Sequence, residues 1–447
     1  MNNHSFEIKK LLKIIKLNNS ILLNWLSVGL PIFLSAFYFS PSLLFLKWVY
    51  AIFFLLPTIF LLKNNGLCLS KVLSSFIILI LIYGILVFIS TFWSDSPRIF
   101  DLFYNTVFFS AFFLGTAFLG LHGRINTNFI CKSIIITGAI TGTLICLYFY
   151  SNEHWTNRLW LSGWLRMGPT NPNHIAVNYS ISSLLAIVFL TYQNKTKLFL
   201  LYLLLSGLNL IPLFASQCRG ALLSFFTVFF VYLLLGKFAK ILKICMSFII
   251  ILSLLTFTFL LTYYPDSFIN QRIKNDGSRK EIWADSVMHT VQNNLWLGEG
   301  RGRNKIPVEL PTEKRFHTFY HAHNQFIDAF YFTGLIGFCI FLLINIYTFI
   351  GFSTSPAIFP FYIWFLNGLF CSLTNGSART LFGFWWIGFW IPIALIGGLL
   401  LQERSFNTSR KLWFFTEFCG WWEVAMRKRR DGNTRSNSPS TPNGNAG

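Results

Sequence analysis

Long apolar runs alternate with short polar connections along most of this chain, and that alternation sets the expected architecture. Stretches of about 17–25 residues match the hydrocarbon thickness of a bilayer. Twelve such helices are predicted, at 20–40, 46–62, 72–91, 101–121, 129–150, 175–192, 197–215, 220–236, 243–263, 324–348, 357–373 and 380–401. Two boundaries are less sharply drawn. Lys47 sits at the edge of its run, and between 197 and 236 only Ser216-Gln217-Cys218-Arg219 leaves room for a tight turn. The pattern changes in 265–320, which is polar. There Ser278-Arg279-Lys280-Glu281-Ile282-Trp283, with Trp283, Val287 and Val291 continuing an apolar stripe, predicts an amphipathic helix lying at the interface. Gly298-Glu299-Gly300-Arg301-Gly302-Arg303 predicts a flexible turn. Its glycines superficially resemble a nucleotide-binding pattern, but no strand precedes them. The expected fold is an all-α polytopic membrane protein. Its parts are a lead-in (1–19), nine spans (20–264), a large polar loop with interfacial helices (265–323), three spans (324–401) and a basic tail (402–447) ending in low-complexity sequence read as disordered.

Composition supports the membrane reading. With 54% hydrophobic and 12% charged residues, a soluble domain of this length could not hide its apolar surface. A net charge of +20 would point to nucleic acid in a soluble protein. Here the Lys residues fall mostly in short connections between apolar runs, where they orient helices, so nucleic acid is excluded as a partner. The eight Cys show no CxxC and no paired spacing, which indicates neither a disulfide framework nor a zinc site. Lys9, Lys10, Lys13 and Lys16 mimic the charged start of a signal peptide. No small-residue cleavage site follows, and the next run is long enough to span, so these residues are read as a cytoplasmic lead-in.

The positive charges also divide by type. With the N-terminus inside, the inner connections carry Lys63, Lys71, Arg124, Lys195, Lys197, Lys237, Lys240 and Lys243, and the tail adds Arg427-Lys428-Arg429-Arg430. Both ends are then cytoplasmic. The short outer loops carry Lys47 and then Arg98, Arg158, Arg166, Arg219 and Arg379. Arg placed against the positive-inside tendency offers a planar, permanently charged fork for phosphate oxygens. The alternative is snorkelling toward lipid headgroups.

Candidate chemistry concentrates at His321-Ala322-His323-Asn324, where the polar segment meets the tenth run, with Gly334-Leu335-Ile336-Gly337 following. Two imidazoles at an interface suit proton transfer beside an anionic substrate. A structural reading stands beside it, in which interfacial His and Asn cap a helix and satisfy its free N–H groups, and it fits His321 better than His323. Trp155, Trp160 and Trp164 in 151–174 read as interface anchors or as sugar-stacking platforms.

The combination of His323-Asn324, nine residues and Gly334-x-x-Gly337 after a long loop with Ser278-Arg279 and Trp283 resembles the O-antigen ligase family. Trp93-Ser94-Asp95-Ser96-Pro97, Asn171-Pro172-Asn173-His174 and Ser216-Gln217-Cys218-Arg219-Gly220-Ala221 fit the same pattern, so the resemblance spans roughly 90–340; the long basic C-terminal extension departs from it. The resemblance implies a GT-C-like glycosyltransferase of the bacterial inner membrane. Such an enzyme moves a glycan from undecaprenyl pyrophosphate to lipid A–core oligosaccharide on the periplasmic face. By residue matching, His323, Arg219 and Arg279 take the family's essential positions. Arg166, His321, Asn324, Arg301 and Arg303 are expected to contact substrate.

The chemistry stands on its own terms as well. Transfer from a pyrophosphate needs a base for the acceptor hydroxyl and cations for the leaving group. No Asp-x-Asp metal pair occurs in the chain, so Arg is expected in place of a metal, with no cofactor. Asp328, five residues past His323, could orient its ring only with poor helical spacing. An O-antigen polymerase or protein O-oligosaccharyltransferase would share the donor and differ in acceptor. A lipid-linked-oligosaccharide transporter would instead place charges mid-span, where these runs have almost none.

Overall fold

The computed structural model describes residues 18–40, 42–64, 74–95, 97–153, 159, 171–193, 195–235, 278–302, 306–310, 315–319, 321–351, 355, 357–373 and 386–406. The chain divides into two units, Met1–Gln402 and Glu403–Gly447. The second is described only through Phe406, where the last helix ends.

Eight helices are long and apolar enough to cross a membrane. They are α1 (Asn19–Phe39), α2 (Leu43–Asn64, with a π turn at Ala51–Leu55), α3 (Ser75–Trp93, closing in a 3-10 turn), α4 (Ile99–Leu121), α5 (Thr127–Asn152), α6 (Pro172–Thr191), α7 (Thr196–Ala215) and α10 (Gln325–Ile350). Three more apolar helices are shorter: α8 (Arg219–Leu235), α11 (Phe359–Ser372) and α12 (Trp390–Phe406). The polar helix α9 (Ser278–Asn293) precedes α10. The expected span at 243–263 lies outside the described residues, as do the lead-in and the tail beyond 406.

One departure from an all-helical chain falls in the polar segment. Strands β1 (Ile306–Leu310) and β2 (Arg315–Phe319) pair antiparallel, with Ile306 opposite Phe319 and Leu310 opposite Arg315. Ile306, Val308 and Leu310 alternate with Pro307 and Glu309, the period of two that suits a strand.

α6 is the most enclosed of the eight candidate spans and packs on α5, α7, α8 and α11. Its small residues Ala176, Ser180, Ser182, Ser183 and Ala186 let neighbouring backbones approach. Neutral amides and hydroxyls then join the helices. Asn178 Nδ2 donates to the Phe37 carbonyl at 3.1 Å, Ser182 Oγ to Asn209 Oδ1 at 2.7 Å, and Asn367 Nδ2 to Ser180 Oγ at 2.7 Å. Ser224 Oγ donates to the Asn367 carbonyl at 2.7 Å. Elsewhere the bundle closes on aromatic edges, with Trp390 packed on Tyr83, Phe109, Phe113 and Phe341. Asn367→Ala removes the bond to Ser180 and the 3.1 Å bond that Asn367 Oδ1 accepts from Ser224, while the Asn367 main-chain carbonyl still accepts from Ser224. Interhelical bonds in bilayers contribute about 0.6–1.7 kcal/mol, so thermal unfolding in detergent is expected a few degrees lower. An unchanged midpoint would show that these amides do not join the helices energetically.

Candidate active site

A break in α10 positions the site. Gly334 has φ 61 and ψ −164, a region open in practice only to glycine. Such a break frees backbone groups, and at membrane depth it persists only when other groups satisfy them. The strap 294–302 does so. Glu299 and Gly300 N–H donate to the carbonyls of Tyr331 (2.8 Å) and Phe332 (3.1 Å). In return, Leu335 and Ile336 N–H donate to the carbonyls of Leu295 (2.8 Å) and Trp296 (3.3 Å). The strap's other wall is the end of α3. Trp93 Nε1 donates to the Gly298 carbonyl at 3.2 Å, Arg301 N–H donates to Ser90 Oγ at 3.1 Å, and Pro97 bridges Gly302. Gly298 and Gly300 are left-handed (φ 68 and 74), and a Cβ on either would lie 2.4 Å from a backbone atom of Gly334 or Ser90. The glycines therefore belong to a pinned strap, where sequence pattern predicted a flexible turn.

The His turn sits at the other end of this half-helix. Asn324 caps α10, its Oδ1 accepting from Phe326 N–H (2.9 Å) and Ile327 N–H (3.3 Å). Ala322 is fully buried. Its N–H donates to Asp328 Oδ1 at 2.7 Å, and its carbonyl accepts from Trp283 Nε1 at 2.8 Å. His323 follows in the left-handed region, φ 56. Its N–H donates to His321 Nδ1 at 3.2 Å, and the two rings stand 4.1 Å apart. As an acceptor, Nδ1 of His321 carries no proton, which places the proton of a neutral ring on Nε2. Capping thus falls to Asn324, and both His rings remain half-buried.

Residues 201–342 match the sequence model of the O-antigen ligase family. That stretch opens in α7, takes in Arg219, Arg279, the strap and the His turn, and ends just past Gly337. Trp93 and Asn171 lie before it. A search of curated proteins finds no match.

Within the stretch matched to the O-antigen ligase family, the cations occupy different settings. Arg279, half-buried, is in the first turn of α9, one turn before Trp283, and α9 packs on α10 and β1. The buried face of α9 is Ile282, Ser286 and Thr290, while Val287 and Val291 of the expected stripe are exposed. Ser286 and Thr290 hydroxyls donate to carbonyls four residues back, so polar side chains can face inward. Arg219 is exposed at the start of α8, after Gln217 turns the chain in the left-handed region (φ 49). α8 packs chiefly on α6 and α11, whereas the side chains bonded to the backbone of the His turn come from α9 (Trp283) and α10 (Asp328). Arg301 is only 7% exposed, its guanidinium 4.0 Å above the Phe332 ring. Arg166 and Arg303 lie outside the described residues. Outside the matched stretch, Asn171 caps α6 by accepting from Asn173 N–H at 2.9 Å, with Pro172 at the first helical position.

Sequence reasoning missed the roles of Ser90 and Asp328 and the function of the three glycines. The readable signal was Gly334, a glycine inside a long apolar run. Among the described residues no three His, Cys, Asp or Glu side chains gather to hold a metal ion.

Proposed function

We propose that the protein is an O-antigen ligase that transfers a glycan from undecaprenyl pyrophosphate to lipid A–core oligosaccharide. The reaction runs on the periplasmic face of the bacterial inner membrane, with both termini cytoplasmic and without metal or ATP. The observation that carries this reading is the half-buried His323 turn beside the helix of Arg279, inside the stretch that matches the O-antigen ligase family. The acceptor hydroxyl oxygen attacks the anomeric carbon as the bond from that carbon to the pyrophosphate oxygen breaks. The hydroxyl proton passes to the His323 imidazole, while Arg219 and Arg279 receive the charge growing on the pyrophosphate. His321, Asn324 and the remaining Arg residues line the substrate path.

The test is transfer in proteoliposomes from purified lipid-linked glycan to lipid A–core, with excess chelator and no nucleotide. Glycosylated lipid A–core is the expected product. A magnesium or manganese requirement restored by titration overturns the assignment of leaving-group charge to Arg. Longer glycan on the lipid carrier, with lipid A–core unmodified, identifies a polymerase instead.

A further inference from the structure

We infer that Asp328 and Trp283 are positioning residues that clamp the Ala322 peptide and thereby set the His323 ring; this rests on His323 being the general base. The clamp takes both backbone polar groups of Ala322, one on each of its two flanking peptide units, from two helices. Asp328 on α10 accepts the Ala322 N–H at 2.7 Å, and Trp283 on α9 donates to its carbonyl at 2.8 Å. Ala322 is fully buried, and it is the single residue between the two His.

Capping does not explain the arrangement. Asn324 already accepts from the first amides of α10, while the Asp328 carboxylate reaches back past the cap. Asp328 Oδ1 holds a backbone amide, a different contact from the ring bond that its sequence spacing to His323 brings to mind. The geometry being held is an uncommon one. His323 has φ 56, a left-handed backbone that few non-glycine residues adopt, although His, like Asn and Asp, enters it more readily than most. An unheld Ala322 peptide can rotate and let His323 relax to negative φ, which swings the ring. Asp328 is 1% exposed, so the bond to the Ala322 amide is shielded from competing water.

The experiment compares Asp328→Ala, Asp328→Asn and Trp283→Phe in the reconstituted transfer assay. Misplacing a reacting group by about 1 Å costs on the order of 10²-fold in rate. Asp328→Ala is therefore expected to lose kcat on that scale, with the KM for lipid-linked donor within about twofold of wild type. Asp328→Asn keeps an oxygen for the Ala322 amide and is expected to recover most of kcat. Asp328→Ala added to His323→Ala should slow the reaction no further, since both act through one base. If Asp328→Ala does not accumulate in membranes, Trp283→Phe carries the test, again with kcat falling and KM unchanged. A rise in donor KM in place of the fall in kcat, an Asn variant as slow as the Ala variant, or an additive double mutant each overturns the clamp. A fully active Asp328→Ala beside an inactive His323→Ala sinks the clamp alone, whereas an active His323→Ala sinks the general-base reading beneath it.

Discussion

His323→Asn is expected to reach normal membrane levels and to transfer glycan ~10²–10⁴-fold more slowly, the usual contribution of a positioned general base. Asn is the informative replacement because it tolerates the left-handed backbone that His323 adopts at φ 56. A loss of activity then reports the missing imidazole and not a collapsed turn. His321→Ala should be much milder, since it removes one 3.2 Å acceptor from a half-buried amide that water can serve. Arg219→Lys and Arg279→Lys keep the charge and lose the planar fork, so each should impair turnover more than a charge count suggests. Immunoblots of membranes alongside the transfer assay check all four. Full activity in His323→Asn at normal protein levels would remove the base from the mechanism, and an inactive His321→Ala beside an active His323→Asn would exchange the two roles.

The membrane-crossing helices were legible because their signal is long and redundant. A run such as 101–121 reads as a helix whatever its neighbours do, and α4 covers Ile99–Leu121. Which side of a helix faces protein was harder to read. On α9 the apolar stripe Val287 and Val291 is exposed, and hydroxyl residues bonded to their own helix face inward. The sequence assigns that stripe to a membrane interface and not to protein, so it carries no information about which face of α9 is buried. The strap was illegible for a different reason. Gly298 and Gly300 take their meaning from Gly334 and Ser90, which are far away in sequence, so local pattern could show only the absence of side chains. Asp328 was discounted by a spacing rule for pairs on one helix. His321, Ala322 and His323 precede α10, so the rule did not apply, and a carboxylate six positions past Ala322 bonds its amide.

Gly334→Ala is expected to be strongly destabilising, because the added methyl meets backbone on a positive-φ residue. A Cβ there would lie 2.4 Å from both the carbon and the oxygen of the Trp296 carbonyl and 2.5 Å from Gly298 N. These are backbone atoms already committed to the strap, so no flexible side chain can move aside. The conformation at φ 61, ψ −164 adds about 1–3 kcal/mol of strain for a residue with a Cβ, and overpacking adds about 1–3 kcal/mol more. Relief is available only by straightening α10, which would return the Tyr331 and Phe332 carbonyls to Leu335 and Ile336 and leave the strap's own amides unpartnered. Ser90 and Trp93 would lose Arg301 and Gly298 in the same step, so the damage reaches both walls of the strap. Gly207→Ala on α7 provides the control, because nothing lies within 4 Å of its Cβ position and alanine favours a helix interior. Thermal unfolding of the purified variants in detergent should place Gly207→Ala at or above wild type and Gly334→Ala far below it, with little folded protein recovered. Equal midpoints for the two would mean that α10 runs unbroken through residue 334.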